Sequence, residues 1–151
     1  MPRVRFNHME LTFPRGALDD ATRADIDAFW CGVFGWEALE VPLLGQTCHL
    51  LRPDDGQFIL LAEGSRPLQS PGYDHLGLLC DTRAEVDELL DQVRRFQEKD
   101  DRVLIKEYED LEGPRVTVRA FYVKYLLPIW FDVQCMEWLA GAEPAARWQY
   151  V

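Results

Sequence analysis

The chain has 151 residues and a formal charge of −10, with 48% apolar and 28% charged residues. That length suits one domain, or two small halves on one core, and the composition is globular rather than disordered. The excess of carboxylates disfavours nucleic acid and anionic membranes as partners, and no apolar run approaches the ~20 residues that span a bilayer.

The N-terminus runs directly into a strand-like segment, without the apolar stretch of a secretory signal. Residues 3–13 alternate as a strand, with Phe6, His8, Glu10 and Thr12 on one face and Asn7, Met9, Leu11 and Phe13 on the other. Pro14-Arg15-Gly16 breaks it. A helix is predicted from about 21 to 34, capped by Asp20 or Thr22 and stopped by Gly35. Ile26, Phe29, Trp30, Val33 and Phe34 fall on one of its faces. Strands at about 36–41, 47–51 and 57–63 follow, divided by Gly45 and the Pro53-Asp54-Asp55-Gly56 turn. Residues 65–72 are rich in Pro, Gly and Ser and read as a linker. The order then repeats. A strand at 73–80 precedes a helix at about 83–98, capped by Asp81 or Thr82, with an apolar stripe of Val86, Leu89, Leu90, Val93 and Phe96. Strands at about 102–109, 115–125 and 129–137 complete the second set, and the acidic run 107–112 reads as a solvated strand end and loop. The chain is βαβββ twice: module one at about 3–64, module two at about 73–137, and a tail at 138–151. Such a repeat of order suggests a pseudo-symmetric site between the halves.

Each module opens with a strand carrying one histidine, His8 and His75, nearly half the chain apart. Neutral imidazole is the commonest metal ligand, and a strand holds it rigidly. His8 shares its face with Glu10 and Thr12, and His75 shares its face with Gly77. Two histidines, one carboxylate and open positions suit Fe(II), Mn, Zn or a similar ion. The carboxylate candidates are Glu10, Glu63, Asp132 and Glu137, and Gln134 can offer an amide oxygen. Glu63 or Glu10, if buried, can also move a proton. His49 has no repeat partner and reads as structural or as a pocket edge. Trp30 and Trp36 read as core, whereas Trp130, Phe131, Trp138, Trp148 and Tyr150 suit an apolar ligand cleft, a dimer contact or a docked tail. Arg115, Arg119 and Lys124 can bind a carboxylate or phosphate, or balance Glu107 and Glu109. Cys31, Cys48, Cys80 and Cys135 form no CxxC pair and read as buried free thiols of a reducing cytoplasm.

Phe29-Trp30-Cys31-Gly32-Val33-Phe34-Gly35-Trp36-Glu37 resembles the FY-x-x-x-LGW-E signature of the vicinal oxygen chelate superfamily. Tyr73-Asp74-His75-Leu76-Gly77-Leu78 resembles the opening of that family's second module, and Phe121-Tyr122-Val123 with Leu127-Pro128 resembles the approach to its last strand. The resemblance implies an α+β fold of two βαβββ modules pairing into an open, cleft-forming mixed sheet, the glyoxalase/bleomycin resistance/dioxygenase fold. It implies metal ligands on the first and fourth strands of each module, here His8, His75, Glu63 and Gln134. In that register Gln134 shares a face with Asp132, and Glu137 lies opposite. The family's polar turn is replaced here by Leu126-Leu127-Pro128-Ile129-Trp130-Phe131, without glycine. Two functions follow from the resemblance. One is a glyoxalase- or dioxygenase-like enzyme that chelates a small oxygenated substrate on Fe, Mn, Zn or Ni, with Glu63 and Glu10 as catalytic carboxylates and Trp130, Phe131 and Arg119 against the substrate. The other is a metal-free bleomycin-resistance-type protein that binds a cationic or aromatic small molecule. The family also implies a homodimer, and the sequence leaves open whether the cleft lies within one chain or between two.

Overall fold

The structure is a computed structural model that describes residue 2 and residues 4–144; Trp148 and Tyr150 lie outside the described residues. Module one runs β1 (His8–Pro14), α1 (Asp20–Phe34), β2 (Glu37–Leu43), β3 (Gln46–Asp54) and β4 (Gln57–Gly64). Asp19, one residue earlier than expected, caps α1 by accepting a hydrogen bond from the Thr22 N–H. Gly35 ends the helix in the left-handed region at φ 69°, where its N–H reaches the Cys31 carbonyl. The β2–β3 turn places both Leu44 and Gly45 at positive φ, 57° and 72°, as two-residue hairpins of that hand require. The sheet order is β1-β4-β3-β2, with β1 parallel to β4.

Module two runs β5 (His75–Leu79), α2 (Arg83–Gln97), β6 (Leu104–Glu107), β7 (Leu111–Glu112), β8 (Val116–Lys124) and β9 (Trp130–Trp138). Thr82 and Glu85 form a reciprocal capping box at the start of α2. The order is β5-β9-β8-β6. The short β7 was not expected: in the acidic run, Leu111 and Glu112 pair with Val118 and Thr117 of β8. No helix among the described residues is long and apolar enough to cross a membrane. The four cysteines are unbridged.

The two sheets share one core. Met9, Leu11 and Phe13 of β1, Leu76 and Leu78 of β5, both helices, and Phe131 and Val133 of β9 belong to a single apolar cluster. Trp30 is its hinge between modules. Its ring lies 4.4 Å from Phe131 and 5.0 Å from Trp36, and its Nε1–H donates to the Tyr125 carbonyl at 3.3 Å. Phe29 adds contacts to Phe96 and Tyr125 at 5.1 and 4.7 Å. Strand alternation fixes the consequence. If Met9 and Leu76 face the core, their neighbours His8 and His75 face away from it. Each sheet therefore has an inner face on the shared core and an outer face. On module one the outer face carries a second apolar cluster, Cys48, Leu60 and Ala62 with Val41, Leu50 and Phe58.

Candidate functional site on the outer sheet faces

Strand register lines up one row across module two. Lys106 of β6 pairs with Tyr122 of β8, Tyr122 with Asp132 of β9, and Asp132 with Gly77 of β5. His75 pairs with Trp130 in the adjoining row. All lie on the outer face, because Ile105, Phe121, Phe131 and Leu78 take the inner one.

His75 Nδ1 lies 2.7 Å from the Tyr73 carbonyl oxygen. A carbonyl only accepts, so Nδ1 carries the hydrogen and Nε2 of the neutral ring holds the lone pair. That Nε2 sits 3.9 Å from Asp132 Oδ2. Asp132 is 8% exposed, and its Oδ1 is buried without a hydrogen-bond partner among the described residues. Burial pushes its carboxyl above the usual range, and the neighbouring His75 opposes this in part. The Tyr122 ring is 4.9 Å from the His75 ring. Burial, then the Asp132 charge, raises its phenol, so it stays a hydrogen-bond donor at neutral pH. Gly77 keeps room for Gln134: a Cβ there would stand 3.3 Å from Gln134 Nε2. Tyr73 closes the site from the side, its ring 5.3 Å from Trp130.

Module one offers a simpler counterpart. Asn7 Nδ2 donates to the Gly56 carbonyl at 2.7 Å, so its Oδ1 is the atom that accepts from His8 Nδ1 at 2.8 Å. His8 thus holds the same tautomer as His75, with Nε2 free to bind, and its ring stacks on Phe58 at 4.7 Å. Glu10 lies two residues along the same face and accepts from Thr12 at 3.3 Å. Both histidines stand on edge strands. Among the described residues β1 pairs only with β4 and β5 only with β9, and no second strand flanks either, although the linker reaches the far side of β1 through the Leu68 N–H, which donates to the Thr12 carbonyl at 2.8 Å.

Other expected site residues fall elsewhere. Glu63 continues the inner-face alternation of Ile59 and Leu61, five steps along β4 from Phe58, the partner of His8. At about 3.3 Å per residue it is roughly 16 Å from the His8 level. Both its oxygens accept backbone N–H bonds, from Gly16 at 2.9 Å and Leu18 at 2.8 Å, and these hold its carboxyl below the usual range. Its work is to pin the loop before α1, not to join the histidines. Phe131 is fully buried against Trp30, so it cannot touch a ligand, whereas its neighbour Trp130 faces outward. Arg119 points to the helix side and donates to Asp87 of α2 at 2.9 Å. Glu137 is likewise on the helix side, paired with Arg83 at 2.6 Å. His49 is buried against Asp27 at 2.6 Å and borders a groove beside Arg23 and Glu40. Lys106, Tyr73, Tyr108 and Tyr122 were not among the expected site residues, although Tyr73 and Tyr122 stood inside the family-like stretches. For Lys106 and Tyr108 the sequence signal is their period-2 placement.

Imidazole Nε2 atoms and hard oxygens are a donor set that fits a divalent cation. Among the described residues, however, no three His, Cys, Asp or Glu side chains converge to hold one. The chain carries two half-sets, His75 with Asp132 and Gln134, and His8 with Glu10, on faces separated by its own core.

Paired βαβββ modules with a histidine opening each define the fold as that of the vicinal oxygen chelate superfamily. No family model and no curated protein matches the chain. Among solved structures it is similar to the fosfomycin resistance protein FosX from Listeria monocytogenes, with TM-score 0.63 and 18% identity over 87% of this chain and 91% of that one. A putative glyoxalase family protein from Bacillus anthracis gives TM-score 0.60 and 15% identity over 91% and 98%. The Listeria FosX complexed with Mn(II) and sulfate gives TM-score 0.60 and 19% identity over 89% and 91%.

Proposed function

We propose that this protein is a metal-dependent enzyme of the vicinal oxygen chelate type that works as a homodimer on a small oxygenated substrate. The observation that carries the reading is the His75–Asp132 pair: an imidazole locked with Nε2 outward beside a buried carboxylate that has an unpartnered oxygen. An unpaired buried oxygen is costly, and a bound cation removes that cost. The shared core separates the His8 face from the His75 face of one chain, so a cleft holding both needs a second copy. The positions of β1 and β5 at the ends of their sheets support that arrangement, as do exposed apolar residues such as Leu43, Leu104, Leu111 and Met136.

In this reading His75, Asp132 and Gln134 of one subunit face His8 and Glu10 of the other across the cleft. These residues would hold a divalent cation, which would supply Lewis acidity toward an oxygenated substrate such as an α-hydroxycarbonyl. Tyr122 donates a hydrogen bond to the oxygen that gains charge, and Glu10 carries the proton that moves. The Mn(II) of the Listeria protein makes Mn(II) the first ion to try. A metal-free binding protein is the second reading, favoured by the tyrosines that crowd the same face.

Metal content after reconstitution with Mn(II), Fe(II), Zn(II) and Ni(II), with His8→Ala and His75→Ala beside the wild type, tests the proposal. The expected result is one ion per chain in the wild type and none in either variant. Mixing the two variants should restore metal at one of the two sites in each mixed dimer. A wild type that takes up no ion overturns the enzyme reading, and a metal-holding monomer overturns the shared cleft.

A further inference from the structure

Three phenol rings gather at the end of the row that begins with Lys106. Tyr122 lies 5.0 Å from Tyr108 and 6.4 Å from Tyr73. Aromatic faces carry negative charge density and attract cations. Here the cation is built in: Lys106 Nζ lies 3.7 Å from the centre of the Tyr73 ring and 5.0 Å from that of Tyr108. The placement follows from the backbone. Ile105 packs into the core, so Lys106 must face outward. Tyr108 is held in place because its segment is tied to the helix side, through Arg94 to Glu107 at 2.6 Å and Arg83 to Asp110 at 2.6 Å.

Lys106 differs from four of the arginines of module two. Arg83, Arg94, Arg102 and Arg119 each pair with a carboxylate. No carboxylate among the described residues forms a salt bridge with Lys106. The Tyr108 hydroxyl, then that of Tyr73, holds its ammonium above the usual lysine range, so it is charged at neutral pH. On a chain of net charge −10, this outer face would otherwise draw cations to its tyrosines and to Asp132.

We infer that Lys106 sets the charge of the ligand: by filling the tyrosine box it bars cationic molecules and offers its own charge to a substrate that bears a carboxylate. The inference rests on the outer face of module two being the ligand face, and it does not require the metal. Without Lys106 the same three rings form an empty cation cage.

Ligand-observed saturation-transfer NMR on the metal-free full chain tests this with two matched pairs of probes. Lactate is set against its neutral amide, lactamide, and choline against its neutral isostere, 3,3-dimethylbutan-1-ol. The wild type should favour lactate over lactamide and show no preference for choline. Lys106→Met should lose the lactate preference and favour choline over the isostere by about tenfold. Lys106→Arg keeps the charge and should behave as the wild type. A wild type that prefers choline or gives no response to lactate overturns the inference, and so does a Lys106→Met protein that still prefers lactate. A protein that never holds metal yet reverses its preference keeps this inference and loses the metal reading; metal uptake without reversal does the opposite.

Discussion

The outer faces of the two modules share an architecture and differ in chemistry. Module one presents Leu60, Leu50, Cys48 and Ala62, with His8 at the edge and Glu10 beside it. Module two presents Lys106, Tyr122, Asp132 and Gln134, with His75 at the edge. The inner faces of both, by contrast, contribute to one apolar core, with charged groups such as Glu63, Arg119 and Glu137 on the same side. Packing binds the core members of those faces to apolar side chains, because a polar or missized side chain there costs several kcal/mol. His75, Lys106, Tyr122 and Gln134 on the outer face of module two are less buried and escape that constraint, whereas Cys48, Leu60 and Ala62 of module one remain buried. A repeat can therefore keep its order of elements and one histidine per module while its reactive groups collect on one side.

The harshest way to break the comparison is to remove the residue on which both inner faces depend. Trp30→Ala should cost about 3–5 kcal/mol and lower Tm by roughly 10 °C. Both modules should melt together in one calorimetric transition; two separate transitions would show that the halves fold independently.

A smaller effect sharpens the contrast between the outer faces. In the metal-free protein, burial raises the Asp132 carboxyl above its unfolded value. Its contribution to stability is therefore whole below the ordinary aspartate range, near about 4, and is lost as pH rises through the raised folded value. Asp132→Asn should melt a few degrees above wild type at pH 7, with a narrower gap in acid. With Mn(II) bound the order should reverse, because the variant loses a ligand. Thermal scans with chelator and with Mn(II) read both signs. Glu10→Gln, on the exposed partner face, should leave the metal-free Tm unchanged.

The smallest effect concerns the module one hairpin. Leu44 holds φ at 57°, a region that Asn tolerates better than Leu. Leu44→Asn should gain about 0.5 kcal/mol and raise Tm by roughly 1–2 °C. A loss of stability would mean that the Leu44 side chain contributes more than its backbone conformation costs.

Local chemistry made most of the fold legible in advance. Gly35 and Thr82 mark helix ends by mechanisms that need no tertiary context, and Ile26, Phe29 and Trp30 declare a buried face by spacing alone. The histidines were legible because the repeat returned them to the same place. What failed was side-of-sheet assignment at strand ends. Glu63 looked like a fourth-strand ligand, but the alternation set by Ile59 and Leu61 turns it inward. Trp130 and Phe131 were paired as ligand contacts, although adjacent strand residues cannot share a face. Arg119 sits on the inner side for the same reason. The row from Lys106 through Tyr122 to Asp132 was hidden for a different reason: it exists only through register between strands, and register is a property of the folded sheet.

The position of Trp30 also bears on how such a molecule can be taken apart. Phe29 and Trp30 of module one rest on Tyr125 and Phe131 of module two, so neither half alone can cover its own helix. Cutting the chain within residues 65–72 would leave two fragments, each with an uncovered aromatic surface that fits the other. Fragments made separately should be insoluble or molten, and should regain a single folded species when mixed at equal amounts. The seam through the aromatic core would then act as a docking code, and the linker, beyond its hydrogen bond from Leu68 to Thr12, would keep the two pieces in stoichiometric supply.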